Sequence, residues 1–170
     1  MIPVLHTERL TLRPPEWADF DAYAAFRASP RLKIVGGPFN RREAFHQLCA
    51  IIGHWGLRGF GRWLVADKGT DAPLGVVGLY LPEGWPAPEL AWSVFDAAEG
   101  KGIAAEAARA ARAYAYDTLG WPSLMSAVHP SNARAVALAK RLGCTPDGTF
   151  EHPDYGHLQI WNHPAPQDLT

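Results

Sequence analysis

Cysteine is scarce in this chain of 170 residues: Cys49 and Cys144 stand far apart, with no Cys-x-x-Cys spacing. The pattern offers no disulfide framework and no thiolate metal site, so two free thiols in a reducing compartment are expected. Excess charge is missing too. Sixteen Lys and Arg against seventeen Asp and Glu leave a formal net charge of −1, so no basic field argues for nucleic acid. No apolar run approaches the ~18 residues of a membrane helix. The opening Met1-Ile2-Pro3-Val4-Leu5-His6 lacks the basic start of a signal peptide. A cytoplasmic protein without nucleic-acid or membrane partners is expected. Internal repeats and interdomain linkers are absent, and the length fits one domain, 1–170, with a sizeable core. No Gly-x-Gly-x-x-Gly follows the first strand, and no Lys-Ser/Thr pair of a nucleotide-binding loop is present. His152, His157 and His163 lack metal-ligand spacing, so no metal is expected.

What is present is a strand and helix pattern rich in Trp and Pro. Residues 7–13 alternate, with Leu10 and Leu12 against Arg9, Thr11 and Arg13, as a half-buried strand does. Apolar spacing predicts helices over 16–29 and from Asn40 to about residue 55, the second with Phe45, Leu48, Cys49, Ile51 and Ile52 as its stripe. Residues 62–66 and 73–81 read as paired strands, and 82–88 as a loop carrying Trp85. The near-continuous apolar run 89–95 reads as a strand buried on both faces. An Ala-rich helix over 103–119, a strand over 124–128, a helix from Ser131 or Asn132 to Leu142 and two last strands complete the order β-α-α-β-β-β-α-β-α-β-β. The tail 164–170 reads as frayed.

Between run 89–95 and the Ala-rich helix stands Glu99-Gly100-Lys101-Gly102-Ile103-Ala104. A Gly-x-Gly turn that opens a helix aims several unpaired N–H groups at one point, at the positive end of the helix dipole. Such a turn suits phosphate. Ala104, Ala105, Ala107 and Ala108 are small enough to let a ligand approach the backbone. A second strand–Pro–Ser–Asn–helix unit follows at 128–132, so two helix starts flank one cleft.

These residues carry a specific resemblance. Leu90-Ala91-Trp92-Ser93-Val94 followed by Glu99 to Ala107 is similar to the acetyl-CoA motif Gln/Arg-x-x-Gly-x-Gly/Ala of GNAT-superfamily N-acetyltransferases. Thr7-Glu8-Arg9-Leu10-Thr11-Leu12-Arg13 resembles the opening strand of the branch that acetylates ribosomal-protein N-termini. His129-Pro130-Ser131-Asn132-Ala133-Arg134 and Lys140-Arg141-Leu142-Gly143 resemble that branch's last motif. The resemblance implies an α/β (α+β) fold: a mixed, centrally splayed sheet of about seven strands with about four helices. It implies acetyl-CoA as co-substrate, held by N–H groups of Gly100, Lys101, Gly102, Ile103, Ala104 and Ala105, with pantetheine along Ser93, Val94 and Phe95. Asn132 would bond the pantetheine arm, and Lys101 and Arg134 would meet phosphates. The acceptor would be an amine of a small molecule or a peptide N-terminus, attacked directly in a ternary complex, by a monomer or homodimer.

Departures from the motif are as specific. Glu99 replaces Gln or Arg, and is expected to point into water. A Tyr that protonates the thiolate in many members falls on Ala139, and the related branch's Ser falls on Ala135. A non-catalytic acyl-CoA-binding protein is the alternative reading. The attacking amine must lose a proton. Glu89, which opens the strand toward the thioester, is the candidate base. Arg109, Arg112 and Glu106 read as an exposed charged helix face.

Overall fold

The structure, a computed structural model, describes residues 1–169. Its strands are β1 (Leu5–His6), β2 (Leu10–Arg13), β3 (Arg62–Asp67), β4 (Pro73–Tyr80), β5 (Glu89–Val94), β6 (Met125–Val128), β7 (Thr145–His152) and β8 (Gly156–Asn162). They form one open sheet in the order β1-β2-β3-β4-β5-β6-β8-β7. Every neighbouring pair is antiparallel except β5 and β6. The helices are α1 (Phe20–Arg27), α2 (Arg41–Arg58), α3 (Ile103–Ala113) and α4 (Ala133–Arg141). The expected mixed, centrally splayed α/β fold and its element order are present. An eighth strand arises because the stretch read as one strand is broken. Thr7 N–H donates to the Leu10 carbonyl and Thr7 Oγ1 accepts from Leu10 N–H, which turns the chain between β1 and β2.

Strand alternation sorts the core into two layers. Trp63, Val65, Val77, Leu79 and Leu90 face one way and pack with the alanines of α3. Leu64, Ala66, Val76 and Phe95 face the other way, against Phe20, Tyr23, Leu48 and Ile51 of α1 and α2. A capping box starts α2, with Asn40 and Glu43 each accepting the other's backbone N–H. Its buried stripe is Ala44, Leu48, Ile51 and Trp55, whereas Phe45, Cys49 and Ile52 are exposed. The apolar pattern is broader than the strip that the sheet covers. Helix α3 widens into a π turn at Tyr114–Thr118. The tail is less free than its composition suggests: Tyr116 donates to the Pro164 carbonyl, and Pro166–Asp168 forms a 3-10 turn, with Thr170 outside the described residues.

One polar chain crosses the α3 side of the core. The Ser126 hydroxyl donates to the Leu90 carbonyl at 2.6 Å and stands 2.9 Å from His163 Nε2. With its proton so used, Ser126 Oγ accepts from Nε2–H, which leaves Nδ1 to accept from Arg112 at 3.3 Å. Arg112 also donates to the Leu142 carbonyl at 2.7 Å. Arg112 therefore lies in the core, not on the exposed face its spacing suggested, and it ties α3 to the end of α4. Burial first, and then the Arg112 charge, push the His163 pKa down to about 3. Between that value and 6.5 the unfolded chain binds the extra proton, so this group's contribution to stability is lost as pH falls through that window. Glutamine at this position removes that contribution, so the calorimetric stability of wild type relative to His163→Gln should fall from pH 7 to pH 4, by up to about 1.4 kcal/mol per pH unit.

Candidate active site

The site begins where α3 begins. Gly100 and Gly102 adopt left-handed backbone, with φ of 71° and 75°. A Cβ at Gly100 would meet nothing within 4 Å, so glycine is required there by its conformation and not by crowding. Gly102 caps α3 with no side chain, so the N–H groups of Ile103, Ala104 and Ala105 have no intrahelical acceptor. The turn is held from beneath. Arg9 donates to the Lys101 carbonyl at 2.9 Å and to Glu106 at 2.6 Å, and Glu106 also accepts from Thr7 and from Arg9 N–H. Glu106 is thus a clamp on the turn rather than part of a charged surface face. Glu99 does not point into water: it lies between Arg31 and Arg134. Arg31 also donates to the Val94 carbonyl at 3.4 Å.

Beside this turn the parallel strands part. β5 and β6 share a single register pair, Glu89 with Met125. Two side chains replace the ladder beyond it. The Glu89 carboxylate accepts the Ala127 N–H at 2.8 Å, and Ser126 takes the Leu90 carbonyl. These contacts occupy the groups that would otherwise zip the strands, and a gap opens along β5.

The antiparallel ladder with β4 decides what faces that gap. Phe95 N–H donates to the Leu74 carbonyl, and the Ser93 carbonyl points at Gly75, where any Cβ would collide with it. By alternation, the polar backbone groups of Ser93 and Phe95 point at β4, while those of Trp92 and Val94 point into the gap. Of the three expected gap-lining residues only Val94 presents its backbone there. Trp92 is the one missed; the parity that excludes Ser93 was not readable without the register.

Glu89 is buried at the vertex of the gap. Burial raises its carboxyl pKa to about 7, against the opposing effects of the Ala127 N–H, Arg62 and Trp85. On the other side of the gap, Asn132 Oδ1 caps α4 by accepting Ala135 N–H at 3.1 Å. Lys101 Nζ donates to the Ala97 carbonyl at 2.8 Å, and Arg134 is turned to Glu99.

A paired strand that opens beside a glycine-started helix matches a known group of proteins. The family model for the acetyltransferase (GNAT) domain matches residues 9–145. The chain belongs to the GNAT acetyltransferase family. An acetyltransferase from Agrobacterium tumefaciens superimposes with a TM-score of 0.87 at 38% identity, over 96% of this chain and 95% of that one. A GnaT-family acetyltransferase from Bordetella pertussis gives 0.78 at 28% identity, over 95% and 99%. A spermidine N-acetyltransferase from Vibrio cholerae, solved with CoA and spermine, shares the fold at 0.73 and 19% identity, over 95% and 98%. The protein is accordingly an N-acetyltransferase that uses acetyl-CoA.

On the acetyltransferase's opposite face, toward α1, Trp85 meets Phe150, His152 and Tyr155 of the β7–β8 hairpin, with ring centroids 4.8 to 5.8 Å apart. Tyr80 lies 6.2 Å from Trp85 and carries the Arg62 guanidinium 4.1 Å above its ring. Elsewhere the enzyme offers little chemistry. Ala139 is fully buried and Ala135 packs against the core, so α4 brings only methyl groups at the two positions where the resemblance led to the expectation of a hydroxyl. Cys144 is buried and its thiol is pushed up to about 11, which makes it inert as a nucleophile. His129 is spent on its own turn, bonded to Ser131. Among the described residues no group of His, Cys, Asp or Glu could hold a metal ion, and no helix is long and apolar enough to cross a membrane.

Proposed function

We propose that residues 1–170 form one acyltransferase domain that moves an acetyl or other short acyl group from CoA to a primary amine, by direct attack in a ternary complex. The observation that carries this reading is the buried carboxyl of Glu89 at the vertex of the β5–β6 gap. The N–H groups of Gly100 to Ala105 suit a pyrophosphate: no side chain caps the start of α3, and nothing lies within 4 Å of a Cβ placed at Gly100. Trp92 and Val94 offer the pantetheine amides a strand edge, and their N–H groups suit an oxyanion at the thioester. Asn132, with its Oδ1 engaged, retains its amide donors for the same arm. Lys101 and Arg134 remain the phosphate partners, and Arg134 must turn away from Glu99 to serve.

Glu89 acts as base, directly or through a water. A carboxyl that titrates near neutrality is matched to taking a proton at physiological pH. No cysteine is placed to form an acyl-enzyme. The thiolate leaves without a protein acid and is protonated by solvent, since a thiol is already fairly acidic, with a pKa near ~8.5.

The test is release of free thiol from acetyl-CoA with a panel of primary amines. Amine-dependent release with stoichiometric acetylated product is expected. Tight CoA binding with no release for any amine would reduce the protein to a binder of acyl-CoA.

A further inference from the structure

The acceptor face carries two cations with no carboxylate in contact, although the Arg62 charge reaches the Glu89 carboxyl. Arg27 and Arg62 are each half-buried, and neither has a carboxylate partner among the described residues. By contrast Arg9, Arg13, Arg31, Arg41 and Arg134 all pair with carboxylates, and the buried Arg112 is met by the Leu142 carbonyl. Arg27 uses only Nε, which donates to Gln47 at 2.7 Å, while its guanidinium lies 4.4 Å from the Phe39 ring. Arg62 lies over Tyr80 and makes no side-chain hydrogen bond of its own. Removing a guanidinium from water without a counterion costs free energy. Two such groups on one face suit an anion supplied from outside.

Their position says what supplies it. Arg62 is opposite Gly78, and Tyr80 is opposite Glu89, so Arg62, Tyr80 and Glu89 share the α1-facing side of three adjacent strands. Two strand spacings and a two-residue offset along the strands make about 12 Å of backbone separation, which the long arginine side chain shortens. Arg27 comes from α1 above the same face, together with buried Tyr23. Tyr155 faces the set from the hairpin: burial raises its hydroxyl pKa, Tyr80 adds to that, and Arg27 and Arg62 oppose it. The acidic groups nearby are elsewhere engaged or solvated. Glu83 is fully exposed and stands 3.9 Å from Arg58.

We infer that the acceptor carries an acidic group a few bonds from its amine, bound by Arg62 and Arg27 while the amine faces Glu89. This rests on the amine-transfer reading above and narrows its substrate class. Polyamines are excluded as preferred acceptors by the same two cations. Those cations also disfavour the ammonium form and so favour the neutral, nucleophilic amine. The recognised chemistry is an anion beside an amine, and it arises in free amino acids, in peptides with an acidic residue next to the N-terminus and in phosphorylated amines.

The experiment compares kcat/KM for matched acceptors by thiol release at pH 9, where Glu89 is ionised in every variant. The pairs are an α-amino acid and its amide, a Ser-Asp-Gly and a Ser-Asn-Gly peptide amide, and phosphoethanolamine and ethanolamine, with spermidine as the cationic arm. At least one acidic member should exceed its neutral partner by about 10-fold or more, as charge-assisted bonds require. Whichever pair shows it identifies the source of the anion. Arg62→Met and Arg27→Met should each collapse that ratio toward unity through KM, and Arg62→Lys should restore part of it. Neutral amines or spermidine equalling the acidic members in the wild type would overturn the inference while leaving acetyl transfer standing. Release with no amine at all would instead sink the reading it rests on. The wild-type comparison needs no variant, so a poorly folded mutant does not blunt the test.

Discussion

Glu89→Gln is expected to lower kcat by about 100-fold or more while leaving CoA affinity in place, the usual scale for loss of a general base. Glutamine keeps an oxygen to accept the Ala127 N–H, so the vertex of the β5–β6 gap keeps its shape. The pH profile separates a catalytic role from an architectural one. The native carboxyl titrates near 7, so wild-type turnover should rise through about that pH and then level, and the variant should lack this limb. Stability should move the opposite way. Burial raises the native pKa above the unfolded value of 4.5, so the folded state binds more protons between 4.5 and about 7. Its stability therefore falls as pH rises across that window, by on the order of 3 kcal/mol in full. Gln carries no such charge. The variant should be the more heat-stable protein at pH 8, with the difference vanishing near pH 5. Unchanged turnover would remove Glu89 as the base; a large loss of CoA affinity would make it an architectural residue.

Gly102→Asp should remove CoA binding by at least about 100-fold in Kd, measured by titration calorimetry. Two unit negative charges about 4 Å apart at a partly screened surface repel by about 4 kcal/mol. The fold should survive. Asp tolerates left-handed backbone better than most residues, and a Cβ at Gly102 meets only Arg9 Nη2, at 3.4 Å. Gly102→Ala is the control, since it adds the backbone strain of about 1 kcal/mol without the charge. Equal losses in both would assign the effect to conformation, and retained affinity in the Asp variant would move the pyrophosphate elsewhere.

How far the sequence reached differs between the two halves of the site. The Gly100-Lys101-Gly102 turn was legible because its chemistry is local: left-handed glycines and a helix start are set by neighbours in the chain. Glu89 was legible as a strand-opening acid. Its raised pKa was not, because burial and the Ala127 contact come from a strand 38 residues on. Glu99 shows the same limit. Its partners Arg31 and Arg134 are 68 residues before and 35 residues after it, and a charge without its partners reads as solvated. Arg112 and Glu106 fit a surface pattern at helical spacing, and both turned inward to distant partners. Trp85 was singled out in a loop, but its neighbours on the hairpin were not.

The sequence by itself determined the order of the main elements and the glycine turn, because periodicity and turn chemistry act over a few residues, and its motifs carried the resemblance to the family. The tertiary structure decided which backbone groups face the gap, which carboxyl titrates near neutrality and which arginines of the acceptor face lack a carboxylate in contact. Each of those depends on strand register and burial, and both arise from contacts between residues far apart in the chain.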